Sequence, residues 1–154
     1  LAIARAFATR TSMLPHFMSC NRAFVRDPEQ RSAGWCGTCD KCRSVFLSIA
    51  PFVHPDQLVD VFGRNLLDDD YAAFGFRRLV VPSDKPFDCV ADIDEARQAF
   101  CLLRQSPEWR AAAVVRAIAS EGLITAPRDD TFAAKGEHFV PEELFSRLSG
   151  QVFR

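Results

Sequence analysis

Apolar positions recur along much of this chain at intervals of three and four residues, in short segments broken by proline and glycine, which is the pattern of a set of short amphipathic helices. Leu1, Ile3, Ala4 and Phe7 form the first stripe, with Arg5 and Arg10 turned to solvent within residues 1–10, and Pro15 bars continuation. Helix is expected again from about Asp40, with Val45, Phe46 and Ile49 as neighbours on one face, and is expected to stop near Pro51. In "HPDQLVDVFG" Pro55 falls in a first turn and Gly63 just beyond an end, and "LLDDDYAAFGFRRLV" reads as another helix, interrupted by Gly75. The clearest start is Asp92, a capping residue with Glu95 at the third helical position, after which Ala96, Ala99, Phe100 and Leu103 line one side. From Pro107 a further helix places Trp109, Ala113, Val114 and Ala117 inward and stops at Gly122. A last short helix runs from Pro141 to Gly150.

Three stretches escape this rhythm. "VPSDKPFDCV" is a loop, because Pro82 and Pro86 both disfavour helix before them, and "TAPRDDTFAAKGEH" is a polar linker. Residues 19–40 hold neither a helical nor a strand period, so they need something other than a core to order them. Four cysteines supply the candidate. Cys20 is followed fifteen residues later by "CGTCDKC", and Cys36, Cys39 and Cys42 are too close together to staple distant elements but well spaced to share a metal. Four thiolates suit tetrahedral Zn²⁺; Gly37 lets the backbone turn between Cys36 and Cys39, and Lys41 and Arg43 offset the negative charge of the centre. An iron–sulfur cluster accepts the same ligands, and buried free thiols are the plain alternative. A closed four-thiolate zinc has no open coordination position, so its role is to order the loop and not to perform chemistry.

The overall composition narrows the class. With 154 residues, 48% hydrophobic and 25% charged, the chain is expected to form one mainly α domain, a zinc loop at 19–43 followed by a helical part at 44–154. A net charge of −1 gives no long-range field for nucleic acid or an anionic membrane, and no apolar run approaches the roughly 18 to 20 residues of a membrane span. Reduced thiols point to the cytoplasm. The first residues read as a helix already under way, without an initiating Met or a cleavable apolar core, so the chain is expected to be the C-terminal part of a longer protein.

Chemistry is then sought outside the cysteines. The loop "SDKPFDC" gathers Asp84, Lys85, Asp88 and Cys89, with Lys85 suited to a phosphate or carboxylate and Asp88 and Cys89 to proton transfer or a magnesium ion; the bland alternative is a solvated turn. Asn21 and Arg22 follow a metal ligand directly and are candidate substrate contacts, since Arg recognises phosphate and carboxylate in bidentate fashion, or else they support the metal loop. Asp68, Asp69 and Asp70 read as a helix-start feature before a magnesium site. His54 and Cys101 read as structural, and His16 and His138 stand without ligand spacing.

"SCNRAF", "WCGTCDKCRSVFLSIAPF", "FGRNLLDDD" and "KPFDCV" together resemble the C-terminal region of the UDP-N-acetylmuramoyl-L-alanyl-L-glutamate epimerase family over nearly the whole chain. The shorter cysteine pattern is similar to the zinc loop of 7-cyano-7-deazaguanine synthase and other ATP pyrophosphatases of the PP-loop group, although "RSVF" follows Cys42 here. The epimerase resemblance implies a helical C-terminal domain of a longer PP-loop-like α/β enzyme. That enzyme would use ATP and Mg²⁺ to convert the terminal L-glutamate of a UDP-muramoyl dipeptide to D-glutamate during peptidoglycan precursor synthesis. A Ser-Gly-Gly phosphate loop is absent from residues 1–154, so the resemblance implies that an N-terminal part carries it and that this chain alone is inactive. The alternatives are a PP-loop ligase and a non-catalytic zinc-binding interaction module.

Overall fold

A computed structural model describes residues 1–69, 72–124, 126–133, 137 and 139–152. The described residues contain seven α-helices and no strand: α1 (Ala2–Ala8), α2 (Asp40–Ile49), α3 (Pro55–Phe62), α4 (Ala73–Arg77), α5 (Ile93–Gln105), α6 (Ala113–Ser120) and α7 (Glu142–Val152). Short 3₁₀ turns join them, among them Asn21–Phe24 and Pro82–Asp84.

The ends of these helices have local causes. Asp92 accepts from the Glu95 amide at 2.7 Å and caps α5, as its sequence predicts. His54 caps α3 through Nδ1, which accepts from the Asp56 amide at 3.4 Å, and Gly63 ends that helix. The core lies where α2, α5 and α6 meet. Phe46 and Leu47 from α2, Phe100 and Leu103 from α5, and Val114, Val115 and Ile118 from α6 are fully buried, with Phe76 of α4 edge-on to Phe100. Cys101 of α5 is buried too, in keeping with a packing role.

The structure corrects three expectations. Residues 107–111 form a turn and α6 starts only at Ala113; Trp109 is buried in that turn and donates from Nε1 to the Val53 carbonyl at 3.3 Å. The inward face of α6 is Val114, Val115 and Ile118, while Ala113 and Ala117 are half-buried, because the branched side chains, with more apolar area to bury than a methyl, set the helix phase. Helix α7 runs through Gly150 to Val152, so that glycine is no stop.

Gly75 lies inside α4 and does not interrupt it. A Cβ there would collide with the guanidinium of Arg43, which lies across the helix and donates from Nη1 to Asp40 at 3.3 Å. Alanine is ordinarily worth about 1 kcal/mol over glycine in a helix. Here the collision with a largely buried, ion-paired side chain outweighs that gain, and Gly75→Ala is expected to destabilise the domain by about 1–2 kcal/mol in urea unfolding.

Candidate metal centre and the adjoining loop

The loop before α2 is held partly by aromatic side chains, a contribution that its lack of periodicity conceals. Phe17 meets Phe7 of α1 edge-on (5.0 Å between centroids) and Trp35 at a tilt (5.1 Å), Trp35 is tilted against Phe62 of α3 (4.5 Å), and Phe46 is edge-on to both Phe62 (5.0 Å) and Trp109 (6.0 Å). This row of rings fixes both ends of the loop against the core, and the cysteines close its middle.

Cys39 is the N-cap of α2, and its sulfur accepts from the Cys42 amide at 3.4 Å, just as a serine oxygen caps a helix at the third position. That geometry brings the two Sγ atoms to 3.4 Å. Cys36 Sγ stands 3.7 Å from Cys42 Sγ, the Cys36 amide donates to Cys20 Sγ at 3.5 Å, and all four sulfurs lie within 4.8 Å of one another. A zinc tetrahedron with bonds of about 2.3 Å has sulfur–sulfur edges of about 3.8 Å, so the residues fit such an ion without rearrangement of the chain. Cys20 and Cys42 are wholly buried, and Cys36 and Cys39 form the outer side.

The thiols are unequal. Burial works against charge on Cys36, yet the hydroxyl and amide of Thr38, the Cys39 amide and the Cys20 thiol bring its pKa down to about 6. Burial first, then the neighbouring Cys39 and Cys20, push the Cys42 thiol well above its ordinary range. The two thiols are thus pushed in opposite directions by their surroundings.

Gly37 adopts φ +68, and Arg64 Nε and Nη2 lie 2.9 Å from where a Cβ would stand, with Leu66 Cδ2 at 3.0 Å. Arg64 is thus a further cation beside the knuckle; of the expected pair, Lys41 donates to the Cys89 carbonyl and Arg43 to Asp40. Gly37→Ala combines a left-handed backbone with crowding from Arg64 and is expected to cost about 1–3 kcal/mol, read as a lower melting temperature of the metal-loaded protein.

The loop 82–91 lies against this knuckle. Asn21 Nδ2 donates to Asp88 Oδ2 at 2.5 Å and the Cys89 amide to Asp88 Oδ1 at 2.8 Å, so two predicted site residues far apart in sequence meet. Asp88 and Cys89 are exposed, Phe87 projects fully into solvent, and Lys85 is half-buried at the end of the 82–84 turn. Arg22 is exposed in the turn that carries Asn21. Asp84 is tied to Arg77 at 2.6 Å. Asp68 accepts from Asn65 at 2.7 Å; Asp70 and His138 lie outside the described residues. Sequence reasoning missed Lys41 and Ser44 as partners of this loop: the Ala91 amide donates to the buried Ser44 hydroxyl at 2.9 Å. No helix among the described residues is long and apolar enough to cross a membrane.

Fold and site together define a helical domain whose N-terminal loop is closed by a cluster of four cysteines able to hold a metal ion. The family model described as MurL C-terminal domain matches residues 16–131, which include all four cysteines and the 82–91 loop. The chain belongs to the MurL epimerase family and corresponds to its C-terminal region. It is 40% identical, over 96% of its length, to the UDP-N-acetyl-alpha-D-muramoyl-L-alanyl-L-glutamate epimerase of Xanthomonas oryzae pv. oryzae, and 40% identical over 97% to that of a Micromonospora species. The Salinispora tropica enzyme of the same name is 38% identical. The chain spans about a third of the length of these relatives. No solved structure matches it.

Proposed function

We propose that this chain is the C-terminal domain, residues 1–154, of a cytoplasmic enzyme that inverts the terminal L-glutamate of UDP-MurNAc-L-Ala-L-Glu to D-glutamate. The likeness to three epimerases over nearly the whole chain is the observation that carries this reading. The α-proton of a glutamate whose carboxylate is ionised is very weakly acidic, because its removal sets a second negative charge beside the first. Converting that carboxylate to an acyl adenylate with ATP and Mg²⁺ removes the first charge and lets an enolate form. The phosphate loop for that step belongs to the remaining two thirds of the protein, and this chain alone is inactive.

In this reading Zn²⁺ on Cys20, Cys36, Cys39 and Cys42 is structural and supplies order to residues 19–43. Asp88 and Cys89 serve proton transfer at the α-carbon. Hydrogen bonds to both oxygens of Asp88 fix the direction of its carboxylate, and the Cys89 thiol is open to a substrate. Asn21, Arg22 and Lys85 contact the carboxylates or phosphates of the UDP-muramoyl dipeptide. The test is incubation of the full-length protein with UDP-MurNAc-L-Ala-L-Glu, ATP and Mg²⁺. D-glutamate in the hydrolysed product together with AMP is expected; unchanged chirality overturns the reading.

A further inference from the structure

Three hydrogen bonds join residues 88–91 to the metal knuckle, and each comes from a residue within two positions of a ligand cysteine. Asn21, next to Cys20, donates from Nδ2 to Asp88 Oδ2; Lys41, next to Cys42, donates from Nζ to the Cys89 carbonyl; Ser44, two residues after Cys42, accepts from the Ala91 amide through Oγ. On its other side this segment runs directly into Asp92, the cap of α5, and its start is pinned through Asp84 to Arg77. Between these anchors Phe87, Asp88 and Cys89 are all exposed, while Pro86 is buried and Val90 packs, half-buried, against the core. Val90 gives the segment one apolar anchor, and the exposed residues before it take their position from polar tethers that lead back to the cysteines.

We propose that the four-cysteine centre sets the position of the 88–91 segment, with Lys41 and Ser44 as positioning residues and Asn21 as a third tether. Lys41 and Ser44 engage main-chain atoms, so they fix the peptide that carries Cys89 while leaving its thiol free. Occupancy of the knuckle orders residues 20–44, and with them the three partners of the segment. Release of the metal frees Asn21 and loosens the first turn of α2, where Lys41 sits, and the segment loses its register. A positioning role in turnover rests on the reading of Asp88 and Cys89 as the proton-transfer groups; the mechanical coupling does not.

Amide hydrogen exchange on the full-length, zinc-loaded protein separates the two. Lys41→Met and Ser44→Ala are expected to raise exchange at residues 88–91 about tenfold, as expected for loss of a single tether, with α5 still protected and one zinc retained per chain. Chelation is expected to raise exchange over the same residues together with 20–39. If 20–39 exchange freely after chelation while 88–91 keep their protection, the coupling is overturned. Lys41→Met lies on the rim of the knuckle and does not threaten the core, so it keeps the test valid should Ser44→Ala unfold. The same variants are expected to lower kcat about tenfold with little change in KM. Faster exchange with unchanged kcat upholds the coupling and overturns the assignment of Asp88 and Cys89.

Discussion

Chelating the metal is expected to lower the unfolding midpoint in urea sharply, by the equivalent of several kcal/mol, and to open residues 19–39 to protease while most of the helical circular dichroism survives. The reason lies in what else holds that stretch. Between Cys20 and Cys39 its regular structure is two 3₁₀ turns, Asn21–Phe24 and Pro28–Gln30, and its buried apolar anchor is Trp35. Binding of a structural zinc is worth on the order of 10 kcal/mol in small domains, comparable to the whole stability of a domain this size. The aromatic row from Phe7 to Trp109 and the Phe46, Phe100 and Ile118 core do not depend on the ion, so part of that energy is not at stake here. Cys42→Ser should reproduce the effect, since it leaves a buried hydroxyl among three thiols. Zinc added back restores the midpoint of the wild type and not that of the variant. A midpoint indifferent to chelator would remove the structural metal, and visible absorbance of the loaded protein would replace zinc by an iron–sulfur cluster.

What could be read from the sequence is what local spacing determines. Cys36, Cys39 and Cys42 sit within a single turn and a helix start, so their convergence follows from backbone geometry, and Cys20 completes a set whose number alone suggests four-fold coordination. The Asp92 cap and the α2 start at Asp40 are likewise signals of a few residues. Contacts that depend on tertiary packing were not legible. Asn21 and Asp88 are 67 positions apart, and Lys41 and Cys89 are 48 apart; nothing in either segment names the other. The run of alanines from 111 to 113 carries too little side chain to mark a face, so the sequence pattern does not give the phase of α6. Gly75 looked like a breaker and is in fact the space into which Arg43 folds. Trp35 and Phe17 were hidden by the polar residues around them, since two rings make no period.

In the full-length protein, Cys89→Ala is expected to reduce epimerisation by about 10²- to 10⁴-fold, the range that a positioned proton-transfer group contributes. The exposed thiol has no packing role, so stability and zinc content should stay as in the wild type, and AMP should still form because activation of the carboxylate precedes the proton step. Inversion needs one group on each face of the α-carbon. Asp88 and Cys89 are neighbours on one exposed segment, so the variants can be told apart by isotope exchange in D₂O. If Cys89 serves one face alone, Cys89→Ala retains exchange of the α-proton for the glutamate epimer facing the surviving base, and loses it for the other. If instead Asp88→Asn shows that one-sided pattern while Cys89→Ala epimerises at the wild-type rate, proton transfer belongs to Asp88 and Cys89 leaves the mechanism. Wild-type turnover in both variants removes the 88–89 pair from the chemistry altogether, and the proton carriers must then be sought in the two thirds of the enzyme that precede or follow this domain in its relatives.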